Sequence, residues 1–196
     1  MGASERRDAI IAMALEEFTA KGFAATRLDD VAKRAGVAKG TIYLHFKDKE
    51  ALFQELVRAA LTPLISRVAQ PPVAAESARV QLERFADLFA REVIGTKRGD
   101  IVRLIISEGA RFPALAEFYY REVVAHGLAA VRRLIEYGVA RGEIHHDALT
   151  KFPQLVVAPA LVGVIWHGLF AKYSPLDMRA MLQAHIDILF SARRST

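Results

Sequence analysis

The stretch Thr26-Arg27-Leu28-Asp29-Asp30-Val31-Ala32-Lys33-Arg34-Ala35-Gly36-Val37-Ala38-Lys39-Gly40-Thr41-Ile42-Tyr43-Leu44-His45-Phe46 reads as two short helices joined by a tight turn at Gly36. Ala32 and Gly36 stand four apart, with apolar Val31 and Ile42 around them. A helix-turn-helix needs a small residue where its helices approach and a glycine-type residue in the turn. The second helix carries small and polar residues, which suits contact with base edges and phosphates. The spacing alone also fits many other helical hairpins, so the surrounding sequence has to carry the rest.

Helical periodicity extends outward from this stretch in both directions. Ile11, Leu15 and Phe18 fall at i, i+4 and i+7, with Ile10 and Ala14 widening the stripe. Lys21-Gly22 marks the end of that helix, since glycine accepts the left-handed cap conformation. Thr26 and Asp29 predict a capping box for the next helix. Asp48 is expected to cap a helix whose apolar face is Leu52, Phe53, Leu56, Val57, Ala60, Leu61 and Leu64. Pro71-Pro72 interrupts the pattern and places a boundary near Gln70, with the helix from Lys49 joining the two parts. Beyond it, Leu82, Phe85, Ala86, Phe89 and Val93 predict a helix that stops before Gly95, and residues 101–109 a short apolar one. Arg111-Phe112-Pro113 is a break, because the residue before proline is pushed out of the helical region. Residues 118–142 read as one long helix with Val124, Leu128, Val131 and Ile135 inside. A helix over 152–173 follows. Ser174-Pro175 then reads as cap and first-turn proline of a last helix bearing Met178, Met181, Leu182, His185, Ile186 and Leu189. No segment alternates convincingly with period two, and there is no internal repeat. The expected fold class is all-α.

Composition narrows the function classes. The chain has 196 residues, 53% of them hydrophobic, enough to fold around a sizeable core. It has no cysteine, which excludes a disulfide framework, a thiolate metal site and a cysteine nucleophile, and fits a reducing cytoplasm. The net charge of +5 is compatible with nucleic acid. The first 58 residues are nearly balanced, because Glu16, Glu17, Asp29, Asp30, Glu50 and Glu55 offset the bases. No apolar run sits where a signal peptide needs one, and Arg6 stands where a myristoylation pattern wants Ser or Thr. Residues 155–171 are nearly all apolar, which means either lipid or protein interior; Pro159, Gly163 and His167 favour the interior, and no membrane is expected. His145-His146-Asp147 lacks a third ligand at helical spacing, and His126, His167 and His185 are isolated, so no metal or cofactor is expected. There is no nucleophile–base pair, no Gly-rich phosphate loop and no HExxH, so the chain is not read as an enzyme.

Residues 18–53 closely resemble the N-terminal domain of the tetracycline-repressor (TetR) family of bacterial regulators. The matching residues are Ala14-Leu15, Phe18, Gly22-Phe23, Thr26, Asp30-Val31-Ala32, Ala35-Gly36-Val37, Lys39-Gly40-Thr41-Ile42-Tyr43, Phe46, Lys49-Glu50 and Leu52-Phe53. The Arg111-Phe112-Pro113 break before a long helix looks like one subgroup of family C-terminal domains. The resemblance implies that residues 1–48 form a three-helix DNA-binding domain with a helix-turn-helix, and that residues 49–196 form a helical ligand-binding and dimerisation domain. It implies that the helix holding Lys39 to His45 lies in the major groove. Gly40 then lets the backbone come close, Thr41 meets a thymine methyl, a base or a phosphate, and Lys39 meets a guanine edge or phosphate. Tyr43 and His45 suit phosphates, as do Arg27 and Lys49 at the starts of their helices. Two departures stand out: Arg27 replaces a frequent Thr, and Ala38 a frequent Ser whose loss removes an N-cap at a cost of about 0.5–2 kcal/mol.

A single reader of this size makes few base contacts, whereas a dimer reads two half-sites. The last two long helices are more apolar than a monomer needs, and in TetR-like proteins such helices pair with their copies, so a homodimer is expected through them. Phe85, Phe89, Ile105, Phe118, Tyr119, Trp166 and Phe170, with Glu108 as polar anchor, are the candidate wall of a pocket for a mostly apolar small molecule. Each of these residues also suits plain core packing. The resulting expectation is a cytoplasmic repressor that leaves a palindromic double-stranded operator when the ligand binds. The alternatives are a ligand-independent or architectural DNA binder of the same fold, or an all-α enzyme that has lost DNA binding.

Overall fold

The computed structural model describes residues 2–191, and among them every regular element is helical. In chain order these are α1 (Ala3–Ala25), α2 (Leu28–Arg34), α3 (Lys39–His45), α4 (Lys49–Val68), α5 (Ala78–Glu92), α6 (Lys97–Glu108), α7 (Pro113–Tyr119), a π-helical turn (Tyr120–Val124), α8 (Ala125–Ala140), α9 (Asp147–Lys151), α10 (Gln154–Leu169) and α11 (Met178–Phe190). They form two compact units. One holds the described residues up to 64 together with 100–123; the other holds 65–99 and the described residues from 124 onward.

The first unit is organised by the apolar stripe of α1. Ile10, Ile11, Ala14, Leu15 and Phe18 are all buried. The rings of Phe18, Phe23 and Phe53 form a closed triangle with centroid separations of 5.3, 6.1 and 5.9 Å, in the offset and edge-on arrangements that aromatic quadrupoles favour. Helix α2 contributes Leu28, Val31 and Ala32 to the same interior, α3 contributes Ile42, and α4 contributes Leu52, Phe53, Leu56 and Val57. Gly36 at φ 66° makes the turn between α2 and α3 that the spacing predicts. The Asp48 cap is also in place, its carboxylate accepting from the Ala51 N–H at 2.7 Å.

Three local expectations are corrected in this unit. The backbone does leave helical geometry at Gly22, with φ 76° and ψ 163°, but a further turn carries on to Ala25. Thr26 does not cap α2: its hydroxyl donates to the carbonyls of Gly22 (2.8 Å) and Glu17 (3.2 Å), closing the end of α1, and Arg27 takes the N-cap position. The long helix expected from residue 118 begins at Pro113, whose fixed φ suits a first turn, and passes through the π-helical turn before α8.

The second unit has its own core of Leu82, Val131, Ile135, Ile144, Leu149, Val156, Ile186 and Leu189. Ser77 caps α5 by accepting from the Val80 N–H. The expected helix over 152–173 is divided: α9 stops at Lys151 and α10 starts after Pro153. Asp177, not Ser174-Pro175, starts the last helix, because its carboxylate accepts from the Ala180 N–H at 3.0 Å. The Ser174 carbonyl instead accepts from Trp166 Nε1 at 2.7 Å. Helix α10 buries Val156, Ala160, Gly163 and Val164 but leaves Leu155, Leu161, Val162 and Leu169 exposed. No described helix is long and apolar enough to cross a membrane.

Candidate nucleic-acid interface

Helix α3 is held by one side and open on the other. Ile42 is completely buried, and Phe46, just past the helix end, is nearly so. Lys39, Gly40, Tyr43 and Leu44 are exposed, and Thr41 and His45 are half-buried. Ala38 occupies the N-cap with no side-chain hydrogen bond, as its methyl group requires. The turn is closed by backbone bonds, with the Val37 N–H donating to the Ala32 carbonyl at 3.0 Å. A Cβ added to Gly40 would meet nothing within 4 Å, so the protein interior does not demand glycine there.

The charges around α3 divide into two groups. On the α3 surface, Lys39 Nζ lies 2.6 Å from Asp29 Oδ2, and the Tyr43 hydroxyl lies 3.5 Å from Asp29 Oδ1. The hydrogen bond that Lys39 donates to the Asp29 carboxylate raises the pKa of its ammonium above the ordinary value, so Lys39 stays charged across the neutral range. Asp29 is thus an aiming group for two candidate contact residues. Sequence alone shows it only as a first-turn carboxylate, because its partner lies ten positions away across the turn. Arg27 is exposed at the α2 N-cap. Behind this surface, Glu17 is 4% exposed and bonded to both Lys21 and Arg34. Hydrogen bonds from Lys21, then Arg34, hold its carboxyl below the usual carboxylate range, which makes these charges part of the scaffold.

Lys49 belongs with the scaffold as well. Its ammonium donates to the carbonyls of Phe23 (2.9 Å), Ala24 (2.9 Å) and Thr26 (3.4 Å), and lies 4.7 Å from the centre of the Phe23 ring. The side chain expected to meet a phosphate is spent on the unsatisfied carbonyls at the end of α1.

Two family profiles match the chain. That of Bacterial regulatory proteins, tetR family, covers residues 10–56, and that of Tetracyclin repressor-like, C-terminal domain, covers residues 72–187. The chain belongs to the TetR family. Members of this family are DNA-binding transcriptional regulators with a helix-turn-helix. This TetR-family chain is 31% identical over 178 residues to an HTH-type regulator of Bacillus subtilis, YhgD, covering 88% of each. It is 31% identical over 121 residues to the HTH-type transcriptional repressor KstR2 of Mycolicibacterium smegmatis, covering 61% of this chain and 57% of that one. Its fold matches that of the regulator FadR from Bacillus subtilis, solved in complex with stearoyl-CoA, with a TM-score of 0.70, 22% identity and coverage of 93% and 97%.

The eight candidate pocket residues of this TetR-family chain fall in both units. Ile105, Glu108, Phe118 and Tyr119 lie in the first. Glu108 is not a free anchor there: its Oε1 accepts from the Phe23 N–H at 3.2 Å, beside Gly22, whose added Cβ would sit 2.5 Å from the same oxygen. Phe118 is buried with the Arg58 guanidinium 4.9 Å from its ring centre, and burial pushes the Tyr119 phenol well above its ordinary value. Phe85, Phe89, Trp166 and Phe170 lie in the second unit. Trp166 and Phe170 pack edge-on at 5.3 Å. Phe85 lines a cavity of about 150 Å³ with Val68, Leu88, Val131 and Leu134, with Arg67 and Arg84 also on its wall. His146 of the His145-His146 pair lies against the Ser191 carbonyl at 3.3 Å.

Proposed function

We propose that this chain is a cytoplasmic repressor that binds a palindromic operator as a homodimer and leaves it when a mostly apolar small molecule binds. Residues 1–48 are the reader and residues 49–196 the ligand-binding and dimerisation part. The observation that carries the reading is the open face of α3, where Lys39, Gly40 and Tyr43 stand in solvent around a helix anchored by Ile42. Lys39, Thr41, Tyr43, His45 and Arg27 supply donors to phosphates and base edges.

Dimerisation is supported by α10 and α11. Leu155, Leu161, Val162 and Leu169 of α10 and Ile188 of α11 are exposed, apolar side chains that a second copy would cover. Repression is supported by the name of the KstR2 relative, and an apolar effector by the stearoyl-CoA in the FadR structure. Release is a population shift: the effector has to bind the conformer with misplaced readers more tightly than the DNA-competent one.

Selection of bound sequences from a random DNA pool tests the reading, because half-site, spacing and symmetry emerge together. Two inverted half-sites about one helical turn apart, or a multiple of it, are expected. Absence of any retarded DNA at low salt, including DNA from the gene's own promoter region, would overturn it. A thermal-shift screen in which no apolar compound stabilises the protein would remove the effector and leave a ligand-independent DNA binder.

A further inference from the structure

Leu44 is 85% exposed, the most exposed large apolar side chain among the described residues. A lone exposed leucine needs no explanation on an ordinary surface. Its position on α3 is what gives it meaning. Gly40 and Leu44 are four residues apart and share one helix face. Ile42, fully buried, is two residues from each, about 200° away around the helix. Gly40 and Leu44 therefore form the centre of the face opposite the anchor. Lys39 and Tyr43 flank it on the side tied to Asp29, and Thr41 and His45 flank it on the other. Helical side chains lean toward the N-terminus, so the leucine lies over the turn that begins at Gly40. Gly40 leaves that turn without a side chain, and no packing in the protein asks for this.

If α3 enters the major groove, this central ridge goes in first, and it carries no donor or acceptor. Among the major-groove edges of the four bases, the apolar group is the C5 methyl of thymine. We propose that Leu44 reads a thymine methyl group in each operator half-site, with Gly40 opening the approach that lets it reach the base. The inference rests on the operator-binding reading above and adds the residue that distinguishes thymine. Basic Lys39 beside an apolar ridge matches a groove edged by phosphates with a methyl at its floor.

The test uses the full-length protein and its selected operator, with each thymine replaced singly by deoxyuridine, which removes only the methyl. Affinity is measured by fluorescence anisotropy at fixed salt. One thymine per half-site should show a loss of about fourfold per half-site, the value of one buried methyl-sized group. Leu44→Ala should lose about as much on the thymine operator, keep its affinity for non-specific DNA, and be indifferent to deoxyuridine at that position. Gly40→Ala adds a methyl in open space, so it should keep or raise thermal stability while weakening operator binding. The proposal is overturned if no deoxyuridine substitution matters, if Leu44→Ala keeps the wild-type sensitivity, or if it weakens specific and non-specific DNA alike. Failure of the selection to yield any bound sequence would instead sink the operator reading, so the two failures are distinguishable.

Discussion

Helices α3 and α10 both leave large side chains in water, but the residues around those side chains differ. Helix α3 is anchored by Ile42 and presents lysine, tyrosine, histidine and a glycine gap, with one leucine among them. Helix α10 buries Val156, Ala160, Gly163 and Val164 and presents a further row of leucine and valine. A polar face with a single apolar ridge suits a charged, hydrated partner whose few methyl groups distinguish one sequence from another. A row of apolar side chains suits a partner that is apolar in turn, such as the second copy of the chain proposed above. Exposure of an apolar side chain thus has no fixed meaning; the residues on the same face decide it.

The largest effect is expected from placing charge on α10. Leu161→Asp with Leu169→Asp should give a folded monomer by sedimentation and circular dichroism, and a loss of about 10²–10⁴-fold in operator affinity once the two half-sites are no longer read together. A variant that stays dimeric would move the seam off this face and break the contrast with α3. Next comes Tyr43→Ala, which should weaken binding to all sequences about ten- to a hundredfold, the loss of one or two charge-assisted hydrogen bonds. Loss of sequence discrimination at unchanged affinity would make Tyr43 a base reader instead.

Two lysines sharpen the division between reading surface and scaffold. Lys49→Met removes the donor to three carbonyls, so unfolding should require about 1.5–3 kcal/mol less free energy in a denaturant titration, with no change in the salt dependence of binding. Lys39→Met should do the reverse: the melting temperature holds while the slope of log affinity against log salt falls by about 0.9 per half-site. If both variants behave alike, the two groups of charges are not distinct. The smallest effect concerns acid. Glu17 has a folded pKa below its unfolded one, so its contribution to stability is complete above the usual carboxylate range and fades as pH falls through the depressed value. Glu17→Gln should therefore be less stable at neutral pH and lose less on acidification; an unchanged acid limb in thermal melts would contradict the ion-pair assignment.

Much of the reader is legible in the sequence because its signals are local. The period of Ile11, Leu15 and Phe18, the turn at Gly36 and the cap at Asp48 all depend on residues within one or two helical turns of each other, and the structure has each of them. The misreadings involve groups with two possible partners. Thr26 has the composition of an N-cap, but its hydroxyl finds carbonyls of α1, that of Gly22 in the last turn and that of Glu17 further back. Ser174-Pro175 has the form of a helix start, but Asp177 lies closer to the first apolar turn and takes the role. Glu108 reads as a solitary carboxylate in an apolar helix; its partner is a backbone N–H 85 residues earlier.

Sequence by itself determined that the chain is helical, that it carries a helix-turn-helix over residues 26–46, and that the string around Lys39-Gly40-Thr41-Ile42-Tyr43 is that of a TetR-family reader. Periodicity, caps and turn glycines are encoded by neighbours along the chain, and a motif is by nature contiguous. Only the tertiary structure decided which charges face outward. It turned the Lys49 ammonium onto the end of α1, set Asp29 against Lys39, tied Glu108 to Phe23, and left Leu44 alone at the crest of α3. The reason is that a side chain's partner is chosen by distance in space, and a polar group that meets an unsatisfied carbonyl or amide in the folded chain stays with it.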